Sequence, residues 1–356
     1  MSTQQYGTST PRIDKFKGEI LKHAVPLEVL GRAGRQIRMP KNNSKTYIAR
    51  RWLPYGATST NANTMNQFFQ NGTGDRGNAM VQANQIAEGV TPSPDSIAPV
   101  DTTVVMQQYG ALYSYTDQVA DLYEDDIPEA MAQQLGERIT LVNEMINWGA
   151  LRACTNAYYG GSGTSLSTVN GALTLGLVRK IAKGLQANHG AMVNKVLSAG
   201  RNFATDPIAP GYTVFCHTDL EPDIRDLPNF IPAQSYASGK PMENELGACE
   251  RFRFITSPDL PSIQDAGAAI GATGLYSTTG TSIDVYPIIV TAQDAWSQLA
   301  VRGIESLTPK LISPNEVSKS DPLGQRGYTG VIWYKAVLLE NQGWMAVGYL
   351  GSKILT

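Results

Sequence analysis

The long polar segment from Pro54 to Asp101 constrains this chain more than any other. It consists mostly of Asn, Gln, Thr, Gly, Pro and Ser, with few branched aliphatics in any regular period. Past roughly 12–15 residues, a loop inside a compact domain is usually functional or has no structure of its own. Strand-like runs flank it, Lys45–Leu53 (KTYIARRWL) before and Thr102–Tyr115 (TTVVMQQYGALYSY) after. Two strands with a long excursion between them predict an extended hairpin arm. An arm that cannot bury itself is either solvated or lies on another subunit. Phe68 and Phe69, an aromatic pair inside this polar stretch, fit an anchor on a neighbour better than a local fold.

The chain has 356 residues, 42% of them hydrophobic, which suffices for about two domains with real cores. Charged residues make up 17%, against about 25% in an average protein. The surface is therefore expected to be rich in neutral polar groups, which suits large static contacts. Cys154, Cys216 and Cys249 cannot all pair and lack C-x-x-C spacing, so free thiols in a reducing compartment are expected. The opening MSTQQYGTSTPRIDKF has no apolar stretch behind a positive patch, and no secretory signal is read there. No run approaches ~18 apolar residues, so no membrane partner is expected.

Net charge is −2, but it is unevenly spread. Residues 1–51 hold eleven of the 29 basic side chains and three of the 31 acidic ones, leaving 18 basic and 28 acidic groups for the rest. A basic N-terminal segment on an acidic body can bind phosphates without sequence choice, bind the acidic body of the next copy, or be a solvated face. Arg32, Arg35, Arg38 and Lys41 are the candidates for facing either DNA or an acidic neighbour.

Residues 11–24 read as a short amphipathic helix started by Pro11 and ended by Pro26, with Ile13, Phe16, Ile20 and Leu21 on one stripe. A helix this short needs a partner surface, which makes Ile13, Phe16 and Ile20 contact candidates, together with Trp52 and the Phe68–Phe69 pair. The clearest helix starts at the Asp126/Glu129 pair with Pro128 in its first turn. Ile127, Met131, Leu135, Ile139, Val142 and Ile146 step along one face of it to about Leu151. Roughly 25 residues at 1.5 Å rise span about 38 Å, enough for a structural spine. A further helix, capped by Thr174, runs to Asn188 with Val178, Ile181, Ala182 and Leu185 inside. Strands follow at Tyr212–Cys216, Arg251–Ile255 and Ile283–Val290, where Pro287 argues for an edge or a bulge. Thr218 and Glu221 predict a capping box. Tyr328–Glu340 and Trp344–Leu350, separated by Asn341-Gln342-Gly343, predict a closing β-hairpin. Helices and strands interleave without a run of βαβ units, so the class is α+β.

No catalytic, cofactor or metal constellation stands out. His217 follows Cys216, but adjacent strand residues point to opposite faces, so a local capping or packing role is expected for the histidine. Gly160-Gly161-Ser162-Gly163-Thr164 lacks the Gly-Lys-Ser/Thr ending of a phosphate loop. Glu124, Asp125 and Asp126 lie at a helix start, where the helix dipole accounts for them. The chain is therefore not read as an enzyme, and no cofactor is expected.

Four segments, in order, resemble one family. Asp321-Pro322-Leu323-Gly324-Gln325-Arg326-Gly327, before the strand Tyr328–Leu339, is similar to its DPL-x-QRG-x-x-GW-K segment, with Trp333 slightly later than the family Trp. His217-Thr218-Asp219-Leu220 through Asp226-Leu227-Pro228-Asn229-Phe230 and Tyr236-Ala237 resembles its H-P-D…DL…D-x-x-F…YA stretch, with Thr218 where Pro is common. Glu245-Leu246-Gly247 through Arg251-Phe252-Arg253-Phe254-Ile255, continued by Val285-Tyr286-Pro287, is similar to its G-E-[IL]-G…RF segment. Tyr113–Val119 and Leu135-Gly136-Glu137 fit its strand and spine helix. On these motifs, over roughly residues 45–350, the chain resembles the tailed-bacteriophage major capsid proteins of the Hong Kong ninety-seven type fold, and among them the N-four-like family.

The resemblance implies an α+β capsid fold in five parts: a basic N-terminal arm (1–45), an extended E-loop hairpin (46–116), a peripheral domain with the spine helix (117–172), an axial domain (173–320), and a closing β-hairpin returning to the peripheral domain (321–356). It implies self-assembly into pentamers and hexamers of an icosahedral head around double-stranded DNA, in a virion built in a bacterial cytoplasm. The implied partners are sister copies, packaged DNA, a separate scaffolding protein, a portal and a cement or decoration protein. Two alternatives remain open at this point. One is an encapsulin-type nanocompartment shell. The other is a soluble hydrolase or binding protein with residues 54–101 as a lid.

Overall fold

The computed structural model describes residues 28–40, 44–53, 81–82, 84–91, 94, 97, 99–122, 127–197, 205–236, 241–271, 273–301, 308–314, 316–317 and 321–355. The expected helix at 11–24, with Ile13, Phe16 and Ile20, lies outside them, as do Lys41, Phe68 and Phe69.

Fifteen strands and four α-helices are placed among these residues. The strands are β1 (Arg35–Met39), β2 (Thr46–Trp52), β3 (Pro99–Val105), β4 (Gln107–Thr116), β5 (Ala157–Tyr159), β6 (Val193–Leu197), β7 (Thr205–His217), β8 (Phe230–Pro232), β9 (Glu245–Cys249), β10 (Phe252–Ser257), β11 (Tyr286–Thr291), β12 (Trp296–Val301), β13 (Thr308–Ile312), β14 (Arg326–Leu339) and β15 (Met345–Leu350). The helices are α1 (Asp117–Leu122), α2 (Ile127–Arg152), α3 (Leu175–Ala187) and α4 (Glu221–Arg225). The strands form an eight-stranded sheet ordered β5-β15-β11-β7-β10-β9-β8 with β6 on β7, a five-stranded sheet of β1, β12, β14, β13 and β4, and the isolated pair β2–β3.

Period-two alternation assigns the two faces of the large sheet. Val214 and Cys216 of β7, Ile288 and Val290 of β11, and Ala346 of β15 point to a core shared with Leu177, Val178, Ile181 and Leu185 of α3. Their neighbours Phe215, Ile289, Met345 and Val347 point the other way, onto Trp148 and Leu151 of α2 and onto Trp296. Fully burying one such aliphatic side chain stabilises by about 1.5–3 kcal/mol. Helix α3 forms as expected: Thr174 Oγ1 accepts from the Leu177 amide at 3.3 Å, and Asn188 ends the helix.

The spine helix α2 bridges the two sheets. Its first half packs Leu135 and Ile139 on Ala111, Val331 and Trp333 of the five-stranded sheet. Beyond Ile139 the buried face moves off the expected Val142–Ile146 stripe to Glu144, Asn147, Trp148 and Leu151. The reason is that the helix passes from one sheet to the other and presents a different side to each.

Several expectations are corrected. The closing hairpin does not exist. β14 joins β4, β12 and β13, whereas β15 joins β5 and β11 in the other sheet. The 3-10 turn Gln342–Trp344 redirects the chain, with the Glu340 and Asn341 amides donating to Ala295 O. Likewise, Thr102–Tyr115 is two strands. The chain leaves β2 at Met106, whose buried side chain packs with Met39, Leu299, Ala336 and Leu338, and then joins β14. Pro287 lies in an internal strand, yet at its end: β11 pairs β7 only from Ile289 onward, so the missing N–H interrupts no bond to β7. The Thr218/Glu221 box is absent; His217 Nδ1 itself accepts from the Asp219 amide at 3.0 Å, the capping role expected of it. β7 begins at Thr205, earlier than Tyr212, and pairs with β6 as a second ribbon.

The segment Asp321–Gly327 shows why its residue types are needed. Asp321 Oδ2 accepts from the Arg326 amide at 2.9 Å, and Gly324 adopts φ +64°, a conformation favouring glycine. Gly327 lies under the Tyr115 ring, which a Cβ would meet at 2.4 Å.

Candidate assembly surfaces

The β2–β3 ribbon is a sheet of its own, with direct pairs from Thr46↔Val105 to Trp52↔Pro99. Its inner face sets Tyr47, Ala49 and Val104 against the Met39–Met106 core. Its outer face carries Ile48, Trp52 and Val105, with Ile48 57% and Trp52 59% exposed. Between them Arg50 donates to Asp101 through Nε and Nη2 at 2.7 and 2.8 Å. That hydrogen bond holds the Asp101 carboxyl below its ordinary range and leaves the outer face without net charge. Two strands alone are marginal in water, and an apolar face on them favours a covering surface.

A second exposed surface lies on the five-stranded sheet. Val331 and Trp333 face the spine helix, while Tyr334 of β14 and, further along the sheet opposite Gly330, Leu112 of β4 remain exposed on the opposite face. Ile312 joins them from β13, an edge strand whose five residues are all exposed. Gly110 and Gly330 carry no side chains on that face and keep it flat.

Trp52, the described member of the expected contact set, therefore stands exposed on the ribbon. The basic candidates are divided. Arg32 forms an ion pair with Glu243, and Arg35 approaches Glu340 at 3.8 Å, both acidic groups of the same chain. Arg38 is exposed on β1. The N-terminal region was expected to find no home in its own fold, but residues 29–39 depart from this. Val29 and Leu30 are buried with Trp148, Leu151 and Trp296, and β1 pairs in parallel with β12. The apolar side chains next to the basic ones complete a core on the spine helix.

Ile48, Val105, Leu112 and Tyr334 were not singled out from sequence; the alternation in the flanking strands was the available signal for the first two. Glu144 was also missed, although Glu144, Asn147, Trp148 and Leu151 share one helical stripe.

The three cysteine thiols are closed off. Cys216 is fully buried, its thiol directed at Ile255 O at 3.8 Å, and burial pushes its pKa up to about 12. Cys154 and Cys249 are buried as well. Among the described residues no group of three or more His, Cys, Asp or Glu side chains is placed to hold a metal ion, and no helix is long and apolar enough to cross a membrane.

Residues 99–306, more than half of the chain, match the family described as phage capsid protein. The chain is similar to the major capsid protein of Pseudomonas phage KPP21, with 22% identity over 262 residues, covering 68% of this chain and 65% of that protein's length. Among solved structures, the capsid of Ralstonia phage GP4 superposes with a TM-score of 0.59 at 9% identity, covering 98% of this chain and 100% of that one. A chain from Mycobacterium phage Che8 gives 0.56 at 8% identity, covering 97% and 98%. The capsid of cyanophage P-SCSP1u gives 0.55 at 13%, covering 95% and 92%. At these identities the likeness concerns the α+β fold.

Proposed function

The chain belongs to the phage capsid protein family, and from that premise we propose that it is the major capsid protein that builds the icosahedral head shell of a tailed double-stranded DNA phage. It acts as a structural subunit in the virion. Mechanism here means assembly into pentamers and hexamers.

The observation that carries this reading is the β2–β3 ribbon, a two-stranded sheet with Ile48 and Trp52 exposed on its outer face. We read residues 46–105 as an arm laid over the adjacent subunit, where the flat face bearing Leu112, Tyr334 and Ile312 is a surface of matching character. Neutralisation of Arg50 by Asp101 allows the ribbon to be covered without stranding a charge. Many such interlocked contacts, more than the stability of one protomer, would hold the shell. The remainder of the N-terminal arm (1–27), with its basic surplus, would run along a neighbour or face the packaged DNA. Host-cytoplasmic assembly, a separate scaffolding protein, a portal and a cement protein belong to the same proposal.

Negative-stain electron microscopy of the purified chain, with and without its genomic neighbours, tests it. Rings of five or six and closed shells are expected. A homogeneous monomer under all these conditions would overturn the reading. Phe68→Ala with Phe69→Ala should leave a folded protomer that assembles poorly.

A further inference from the structure

Val29, Leu30 and Gly31 all give their amide hydrogens to one side chain. Glu144 Oε1 accepts from Val29 at 3.0 Å and Leu30 at 2.8 Å, and Oε2 accepts from Gly31 at 3.3 Å. The carbonyls of the same turn are held from another element: Gln298 Nε2 donates to Gly31 O at 2.9 Å and to Leu30 O at 3.4 Å. Gln36 Nε2 adds a bond to Gly31 O at 3.1 Å. Glu144 is 1% exposed, and Gln298 is buried too. Asn147 Nδ2 reaches Gln298 Oε1 at 3.5 Å, so the two gripping groups are joined through the next turn of the spine helix.

We propose that Glu144 and Gln298 are the two jaws of a latch that grips the main chain of Val29–Gly31 and fixes this turn of the chain on the body. The grip reads backbone polarity, with a carboxylate on successive N–H groups and an amide on the carbonyls, which are strong and directional bonds when buried. The jaws sit on different elements. Glu144 belongs to α2 and Gln298 to β12, so a shift of the spine helix against that strand withdraws one jaw while leaving the other. The latch thus couples the position of the spine helix to the release of Val29–Gly31.

Two further features suit a contact that opens. Asn147 Oδ1 and Trp148 Nε1, buried in the adjoining turn, have no hydrogen-bond partner among the described residues. The closed seam therefore leaves polar groups unsatisfied, which lowers the free-energy gap to an opened state. Burial also pushes the Glu144 carboxyl above its ordinary range despite the three amides. The other charged groups around it are Glu28 on the gripped segment and Lys335 on β14, whose ammonium is influenced by both carboxylates. Next to the latch, Gly34 lies against the Trp296 ring, which a Cβ would meet at 2.7 Å, so the chain beyond the grip follows one path over the indole.

The consequence for assembly rests on the shell reading; the test below does not, because it uses the full chain unassembled. Hydrogen exchange of the Val29–Arg32 peptide and the rate of tryptic cutting after Arg32 are compared in wild type, Glu144→Gln and Gln298→Ala. Glu144→Gln keeps the size but replaces one acceptor with a donor aimed at amide hydrogens. Each variant should raise exchange at 29–32 and cutting at Arg32 at least tenfold, with exchange in 175–187 unchanged. Gly34→Ala, which disturbs the path without touching either jaw, should raise cutting at Arg32, and Glu144→Gln added to it should raise cutting by a smaller factor than it does in wild type. Unchanged exchange at 29–32 in both jaw variants overturns the latch. So does a rise in exchange that is equal across 29–32 and 175–187, which marks general loosening of the fold.

Discussion

Lys335 offers a quantitative test of how the interface between the spine helix and the sheet is built. The side chain projects from β14 toward α2, is 8% exposed, and donates to Asn143 O at 3.3 Å. Burial lowers its pKa from 10.5 to about 8, against the opposing pull of Glu28 and Glu144. The folded state therefore binds fewer protons than the unfolded chain between about pH 8 and pH 10.5. Stability rises with pH across that window, and the penalty of the buried ammonium is fully present below about pH 8. A shift of this size is worth about 3 kcal/mol at pH 7. Lys335→Met keeps the length of the side chain and removes the charge. It also loses a hydrogen bond worth about 1 kcal/mol. The net expectation is a gain of about 1–2 kcal/mol at pH 7, read as a higher urea midpoint with an unchanged slope for unassembled protein. Near pH 10 the gain should vanish, because the wild-type amine has by then largely lost its proton. Equal or lower stability of the Met variant at pH 7, with a difference that does not change up to pH 10, would refute the reasoning.

Other substitutions probe separate parts of the molecule. Trp52→Ala removes an exposed aromatic from the ribbon; protomer stability should stay within about 0.5 kcal/mol, while the yield of assembled particles by sedimentation falls sharply. Arg253 donates to both oxygens of buried Glu245 at 2.7 Å, and Tyr236 adds a hydroxyl at 2.6 Å. Arg253→Met, which strands that carboxylate beside the β9–β10 register shift, should cost about 3–5 kcal/mol in denaturant unfolding. Gly327→Ala places a methyl in the Tyr115 ring and should destabilise by about 1–3 kcal/mol, with Tyr115→Leu partly restoring the loss.

Some parts of the molecule were readable because short-range chemistry governs them. Thr174 three residues before Leu177 caps α3, and the stripe Val178, Ile181 and Leu185 is buried as its spacing predicts. The flanks of the polar segment pair as a ribbon because β-branched and aromatic residues alternate there with polar ones. His217 acts on its own loop, as its place after a strand indicates. The exposed apolar faces were only half readable: Trp52 was named and stands exposed, but Leu112 and Tyr334 were not named, since nothing local says which face of β4 or β14 the spine helix covers.

Sequence alone determined the class, the spine helix, the β2–β3 ribbon and the motif-bearing turns, because each depends on residues a few positions apart. Tertiary structure alone decided that β14 and β15 part into different sheets, that Glu144 turns inward, and that residues 29–39 join the body. Both C-terminal strands are apolar on both faces, so alternation carries no information about their partners. Glu144 and Gln298, which hold Val29–Gly31, lie more than 100 positions away in the chain, beyond the reach of any local pattern.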